Sequence, residues 1–342
     1  MSSEESALVS HVAPSAPLVC AVVLNYGTWQ YSQDCIASLV AMNYPALVIA
    51  LVDNCSPNES VKHLADYLNS HQGNQPLVYI LDTAVRTYTL GNAEVALIES
   101  ATNDGYAAGI NVGLRWGLEQ TEAAYFWVLN NDTTFHVDAL GALIRQYSQT
   151  TATQQGIMGS VLMHYDKPTV VQAIGGRHIP WLGISAPVGE GLPAATAALS
   201  KLLPDVNYII GAACLLSRQT LLRVGFMPDD YFLYYEDTAW SLEAERRGFA
   251  NTCCLGSLVY HREGGSTRAT AGRLSVRGEY YFARNKIRFT RRYFPHYVPF
   301  MILSAITAIV MRAWAGNFTA VKTIGSATWN ELIHRKKQAA VD

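Results

Sequence analysis

Charge is scarce in this 342-residue chain: 15% of positions are charged and 50% are hydrophobic. That is rich in apolar surface for a purely soluble protein, yet far from the composition of a multi-span membrane protein. None of the six cysteines (Cys20, Cys35, Cys55, Cys214, Cys253, Cys254) sits in a CxxC spacing, so they are expected to be reduced and mostly buried. The leader MSSEESALVSHVAPSAP has acids where a signal peptide has basic residues and lacks an apolar h-region, so export by that route is not expected and the compartment expected is the cytosol. There is no GxxxxGK[ST] loop and no GxGxxG after the first apolar run, which argues against a Walker NTPase and a Rossmann dehydrogenase. Internal repeats and low-complexity tracts are missing too.

The net charge of −2 hides an asymmetry. From Arg262 onward there are 14 Lys/Arg against 4 Asp/Glu, leaving 11 against 23 in residues 1–261. A basic segment follows an acidic body, and such a segment suits nucleic acid, anionic lipid or an anionic substrate.

The apolar runs VCAVVLNY (19–26) and ALVIALVDN (46–54) flank a helix-like stretch from Thr28 to Met42, a strand, helix and parallel strand. A helix over 57–70 is expected behind Ser56-Pro57, with proline at the first helical position. Short strands near 77–82 and 94–99, a helix over Tyr106–Leu118 and the strand AYFWVL (124–129) follow. This alternation predicts an open, mostly parallel α/β sheet with helices on both faces, its ligands beyond the carboxyl ends of the strands. The Pro/Ala/Gly-rich stretch 185–204 reads as a long loop, and 175–205 as a candidate lid. Beyond it come YIIGAACLLS (208–217), a helix over 218–224, a helix from near Asp237 to Arg246-Arg247-Gly248, and the strand LVYH (258–261).

Four constellations carry chemistry. Strand AYFWVL runs into Asn130-Asn131-Asp132, and one carboxylate with two amides suits Mg²⁺ or Mn²⁺, which need few carboxylates when substrate phosphates complete the shell; an ordinary Asx turn uses the same residues. Glu236-Asp237 sits where an aromatic segment becomes a helix, so Asp237 is either a first-turn acid or a general base. In YHREGGST (260–267), His261 is a structural imidazole, a metal ligand or a diphosphate contact, and the Gly-Gly-Ser-Thr turn can bring N–H groups to phosphate. In GEYYFARNKIRFTRRYFP, Arg284, Arg288 and Arg291 share a helical face among aromatics, without an RNP or KH signature. The following YVPFMILSAITAIVMRAWAG (297–316) is apolar for about 14 residues before Arg312, short of the roughly 20 of a membrane span. It reads as an interfacial helix aided by anionic lipid, or as a buried core helix beside a solvated basic neighbour.

Taken in order, VVLNY, LVDNCSPNES, NDGYAAGINVGL, VLNNDT, IIGAACLLSRQTLLRVGFMPDDYFLYYEDTAWSLEAERRGF, YHREGGST and YYFARNKIRF resemble the family 2 glycosyltransferases, and among them bacterial rhamnosyltransferase-like members acting on cell-surface polysaccharides. The resemblance, running from about Val19 to Pro295, implies a GT-A fold over 18–270, with a nucleotide-binding half about 18–135 and an acceptor half about 136–270; the polar leader (1–17) precedes it, and the basic and apolar helical region (271–342), read above as membrane-associating, follows it. The resemblance also implies that Asn25 and Asp53 contact the nucleoside. Asn103, Asp104 and Gly105 would form a nucleotide-facing turn, with Ala107, Ala108 and Gly109 small enough for close backbone approach. Asn130-Asn131-Asp132 stands at the DXD position, with Asp132 the metal ligand and His261 near metal and diphosphate. Asp237 matches the catalytic base, and Arg284 and Asn285 match a recurring pair in a donor-phosphate or structural role. Two departures are plain: Asn130 replaces the first acid of DXD, and Ala239 stands where many relatives carry a second acid. The activity implied is inverting transfer from a nucleotide sugar, TDP-rhamnose first and UDP-hexose or UDP-galactofuranose next, to a glycan or lipid-linked glycan. Mg²⁺ or Mn²⁺ would assist at the inner face of an anionic membrane, without a nucleic-acid partner. An inactive binding relative is the alternative that Asn130 and Ala239 keep open.

Overall fold

The computed structural model describes residues 16–71, 78–80, 83–149, 155–262, 268–269 and 273–333. The first half runs β1 (Val19–Asn25), α1 (Trp29–Val40), β2 (Leu47–Asp53), α2 (Ser60–His71), β3 (Val78–Ile80), β4 (Thr83–Leu90), β5 (Ala93–Glu99), α3 (Tyr106–Gln120), β6 (Tyr125–Asn130), β7 (Thr133–Phe135) and α4 (Ala139–Gln149). There follow β8 (Gln155–His164), β9 (Lys167–Ala173), β10 (Gly176–Ile179), β11 (Ile184–Pro187), α5 (Thr196–Ser200), β12 (Ala213–Ser217), α6 (Arg218–Val224), α7 (Glu236–Arg246) and β13 (Ala250–His261). Three helices end the described chain: α8 (Val276–Tyr293), α9 (Val298–Trp314) and α10 (Phe318–Ile333).

Every residue of β1 and β2 is buried, because the sheet is covered on both faces. Strand alternation divides the run between two cores. Val19, Ala21 and Val23 pack with α1, α2 and α4, while Cys20, Val22 and Leu24 pack with α3, α6 and α7. Helix α3 presses directly on β1 through one glycine per turn: a Cβ at Gly109, Gly113 or Gly117 would stand 2.5 Å from Leu24, 2.5 Å from Val22 and 2.7 Å from Cys20.

The large sheet has the order β3-β4-β5-β2-β1-β6-β12-β8-β13-β7, with β9 on β8. The parallel arrangement predicted from the sequence is seen in β5-β2-β1-β6. Beyond β6 the sheet becomes mixed, since β12 runs antiparallel to both neighbours and β13 rejoins β8 in parallel. Short returns such as residues 165–166 between β8 and β9 permit only antiparallel pairing.

Several elements differ from the sequence expectation. Helix α2 starts at Ser60 rather than at Pro57, because the Ser56 hydroxyl is already engaged, accepting from Gly27 N and donating to Asp53; Asn58 Oδ1 instead accepts from Ser60 N and Oγ. Strand β4 was not expected, though Gly91-Asn92 between Leu90 and Ala93 makes the turn of its hairpin with β5. The stretch 185–204 is not a bare loop: it carries part of β11 and all of α5, and Val188 and Leu199 bury against Val161, Val171 and Ile174. The expected leader lies largely outside the described residues, as does the Gly-Gly-Ser-Thr turn.

The basic stripe of α8 is not a solvated face. Arg288 and Arg291 both bind Glu331 of α10, which is buried, while Arg288 and Arg292 pair with Asp230. Nor is α9 a core helix: residues 295–314 form one 20-residue helical stretch of mean hydropathy 1.5 that is 6% buried, longer and more continuous than the apolar run suggests. By length and composition alone that is enough to cross a membrane. Replacing Glu331 with alanine leaves two guanidinium groups without their carboxylate; the expected outcome is a loss on the order of 2 kcal/mol and faster proteolysis within α10, read by denaturant unfolding and limited trypsin digestion. Unchanged unfolding and digestion would show that the clamp does not hold α10.

Candidate active site

The carboxyl ends of β1, β2 and β6, the N-termini of α3 and α8, and the loop entering α7 surround a cavity of about 350 Å³, within the range of small-molecule sites. Asn103, Gly105, Asn130, Asn131, Asp132, Asp237 and His261 line it together. Asn25, Asp53, Asp104, Gly109 and Arg284 do not.

Beneath the cavity lies a closed polar network. Asn25 Nδ2 donates to Asp53 Oδ2 at 2.7 Å, and Asp53 also accepts from Ser56 N and Oγ. Asn25 Oδ1 accepts from Ser32 Oγ, and Asn131 Nδ2 donates to Thr28 Oγ1 and Ser32 Oγ at 2.8 and 2.9 Å. Asn25 and Asp53 are buried, so here they knit the ends of β1, β2 and β6, and the neighbouring Tyr26 and Asn54 line the cavity in their place. Asp104 faces solvent and accepts from Thr102. Gly109 serves helix–sheet packing, because its Cα faces Leu24 and Asn54. Close approach belongs instead to Gly105 (φ +105°), where a Cβ would overlap Phe232 O at 2.3 Å. Arg284 donates to the carbonyls of Asp230 and Tyr231, bracing a loop rather than entering the cavity.

On one wall, antiparallel pairing of β13 with β7 sets His261 opposite Thr133 and therefore beside Asp132. His261 Nε2 lies 3.2 Å from Asp132 Oδ1, and its Nδ1 is 2.8 Å from Gln172 Oε1. With the Nδ1 proton on that bond, Nε2 presents a lone pair to the carboxylate. In that tautomer both atoms can serve as ligands to one cation. Asp132 Oδ1 and Asn130 Oδ1 are also buried without hydrogen-bond partners among the described residues. One carboxylate, one amide oxygen and one imidazole fit a divalent cation whose remaining ligands come from a diphosphate, although no cluster of three His/Cys/Asp/Glu is present among the described residues.

The acids of α7 belong to the same lining. Phe232, Tyr234 and Tyr235 all have left-handed backbones, with φ of 67°, 68° and 74°, at roughly 1–2 kcal/mol each for such residues. Asn285 Nδ2 holds the loop at the carbonyls of Tyr231, Leu233 and Tyr234, at 2.8, 2.7 and 3.0 Å. This turn delivers Glu236 and Asp237 into the cavity as the first residues of α7. Asp237 Oδ2 accepts from Gly211 N at 3.2 Å and Oδ1 from Thr238 N at 2.6 Å. Burial raises the Asp237 carboxyl above its usual range, restrained by those two bonds. Burial and then the adjacent Asp237 charge push Glu236 up to about 8, and Glu236 Oε2 is unpartnered among the described residues.

Sequence reasoning missed Glu236 as a lining residue, along with Tyr106, Phe232, Ser275 and Arg277. The Arg277 guanidinium stands 4.5 Å over the Phe232 ring, which stacks on Tyr281 at 4.4 Å. No local signal marks Arg277, since it reaches the cavity only because α8 begins there.

A raised folded-state acid binds more protons in the native than in the unfolded protein. Glu236 therefore lowers stability as pH rises through the window from 4.5 to about 8. Unfolding midpoints measured across that window without divalent cations should fall with pH, and Glu236→Gln should flatten the slope. An identical slope in the variant would refute the assignment.

Residues 20–170 match the profile described as Glycosyl transferase family 2. A curated relative, the low-salt glycan biosynthesis hexosyltransferase Agl10 of Haloferax volcanii, is 22% identical over 184 residues, 51% of this chain and 54% of the relative. The chain thus spans about half the length of that relative. Among solved structures, the mannosyltransferase PcManGT from Pyrobaculum calidifontis, determined with GDP-Man and Mn²⁺, has TM-score 0.53 and 12% identity, covering 93% of this chain and 88% of its own. GalNAc-T7, determined with UDP, GalNAc and Mn²⁺, has TM-score 0.59 and 14% identity, covering 95% of this chain and 58% of its own. At such identities the two structures speak for the fold. They show a GT-A fold, and the segment from the first strand into β9 is similar to the family 2 glycosyltransferases.

Proposed function

We propose that this protein transfers a sugar from a nucleotide diphosphate donor to an acceptor hydroxyl by single displacement, with inversion at the anomeric carbon. The observation that carries the reading is one cavity lined by Asp132, His261 and a desolvated Asp237. Mg²⁺ or Mn²⁺ held by Asp132 and His261 supplies charge stabilisation for the departing diphosphate when bound. Asn103, Gly105 and Tyr106 border the donor side, and the amides of Asn130 and Asn131 close its floor. Asp237 takes the proton of the acceptor hydroxyl as the new bond to the anomeric carbon forms; the bond from that carbon to phosphate breaks and its electron pair leaves with the nucleoside diphosphate. Burial favours this step by raising the basicity of the carboxylate.

For the donor we take rhamnose on TDP first, on the order of the sequence motifs, with transfer into cell-surface polysaccharide such as O-antigen. The hexosyltransferase relative favours a second reading, a UDP-hexose or UDP-galactofuranose. The acceptor is a glycan or lipid-linked glycan met at the cytosolic face of the membrane, a reading supported by the exposed apolar face of α9. The unpartnered acids in the cavity count against an inactive binding relative.

Asp237→Asn should lower turnover by roughly 10²–10⁴-fold with donor affinity retained, measured by transfer and by donor titration; full activity in the variant would refute the base. Rhamnosyl and hexosyl donors are separated by thermal shift with Mn²⁺, where a ligand at 100 times its Kd stabilises by about 2.7 kcal/mol. Asp132→Ala should abolish the Mn²⁺-dependent part of that shift. A shift equally dependent on Mn²⁺ in the variant would place the cation elsewhere.

A further inference from the structure

We propose that α9 and α10 form a docking surface for an anionic phospholipid bilayer, with α9 lying in the plane of the interface and the cavity mouth at headgroup level. The proposal rests on the membrane acceptor read above and specifies how the protein meets that membrane.

Helix α9 has two unlike faces. Met301 is buried, Ser304 Oγ accepts from Lys286 Nζ at 2.9 Å, and Arg312 binds Glu279 at 3.1 Å. Positions 301, 304 and 312 fall on one side of the helix and fasten α9 to α8 at Ser304 and Arg312. Phe300, Leu303, Ile306, Val310 and Trp314 occupy the other side and are exposed. A helix fastened lengthwise to a polar catalytic body presents its apolar side as a strip, and it cannot cross a bilayer without carrying that body in. Helix α10 extends the strip with Phe318 and Trp329. A contiguous apolar surface of this kind marks an interaction site.

Charge selects the occupant. Between Tyr280 and Ile333 the only acid is Glu331, which is buried. Lys322 is exposed, and the sequence continues His334-Arg335-Lys336-Lys337. An apolar strip in a stretch of sequence rich in cations, with no exposed acid between Tyr280 and Ile333, complements anionic headgroups, whereas two copies face to face would oppose like charges.

Orientation follows from the tryptophans. Trp314 is 88% and Trp329 65% exposed, and such side chains favour the headgroup level. Their near neighbours touch the start of α8, Arg312 at Glu279 and Asn330 Nδ2 at the Tyr280 hydroxyl, 3.2 Å away. That end of α8 lines the cavity through Ser275, Arg277 and Gly278. An acceptor whose lipid stays in the bilayer can therefore present its headgroup at the cavity mouth.

The test uses the full chain with vesicles of phosphatidylcholine alone or with 30% phosphatidylglycerol. Flotation should occur with the anionic vesicles and fall at least tenfold in Leu303→Glu/Val310→Glu, because each substitution removes a buried apolar side chain worth about tenfold or more in partition. Donor hydrolysis without vesicles should be unchanged in that variant, showing that the fold survives. Fluorescence lost in Trp314→Phe should be the part quenched by shallow rather than deep spin-labelled lipid. Deep quenching, with protease protection of the chain beyond α9, would overturn the in-plane arrangement. No flotation, with a dimer in sedimentation that Leu303→Glu/Val310→Glu dissociates, would overturn the bilayer in favour of a second copy. Flotation without sugar transfer would leave docking standing and refute the transferase reading; transfer without flotation would do the reverse.

Discussion

A single amide governs the geometry of the catalytic end of the molecule. Asn285 Nδ2 collects the carbonyls of Tyr231, Leu233 and Tyr234 and so holds a loop in which three bulky residues are left-handed. That conformation opposes the intrinsic preference of each residue by roughly 1–2 kcal/mol, and an extended alternative would swing Glu236 and Asp237 off the cavity wall. The same loop supplies Phe232 O to Tyr106 N at 2.7 Å, capping α3 where Gly105 lets the two backbones touch. One side chain of α8 thus sets both the place of Glu236 and Asp237 and the start of α3. Arg284, Arg288 and Arg292 reinforce it at Asp230 and Tyr231.

This is why the basic stripe resisted interpretation from sequence. At helical spacing, Arg284, Arg288 and Arg291 look the same whether they face phosphate, lipid or protein. What decides is Glu331, more than forty residues away in sequence, and the carbonyls of a strained loop, which no local pattern announces. The central strands were legible for the opposite reason: full burial on two faces demands a continuous apolar run, a signal contained within the strand itself. Asp132, Asp237 and His261 were legible because each ends or begins an element whose own pattern is clear. Arg277 and Glu236 were not, since lining a cavity depends on where α8 and the 231–235 loop return in space. Asn25 and Asp53 show the converse: a strand-end position does not reveal in sequence that its polar atoms bond to one another beneath the cavity.

The cavity separates its two jobs by solvation and charge. Around Asp132 the neighbours are neutral amides and an imidazole with its lone pair inward, so a cation meets one negative charge and needs more from its substrate. In the proposed reaction a donor diphosphate would provide that, coupling cation and donor rather than leaving a preloaded metal site. Asn130 in place of an acid has this consequence directly: a second carboxylate there would strengthen cation binding before the donor arrives.

Around Asp237 the logic runs the other way. Burial raises this carboxyl above its usual range, disfavouring the charged form that a base needs. The N–H groups of Gly211 and Thr238 draw it back by favouring the charged form. Gly211 is itself fixed from the other side, its carbonyl accepting from the Tyr106 hydroxyl at 2.8 Å, so α3 and Asp237 both anchor on this one residue. With Ala239 in place of a further acid, no third carboxylate adds repulsion within this turn. Of the two acids, Asp237 is the one supplied with N–H donors, which favour the charged form that the proposed base would need.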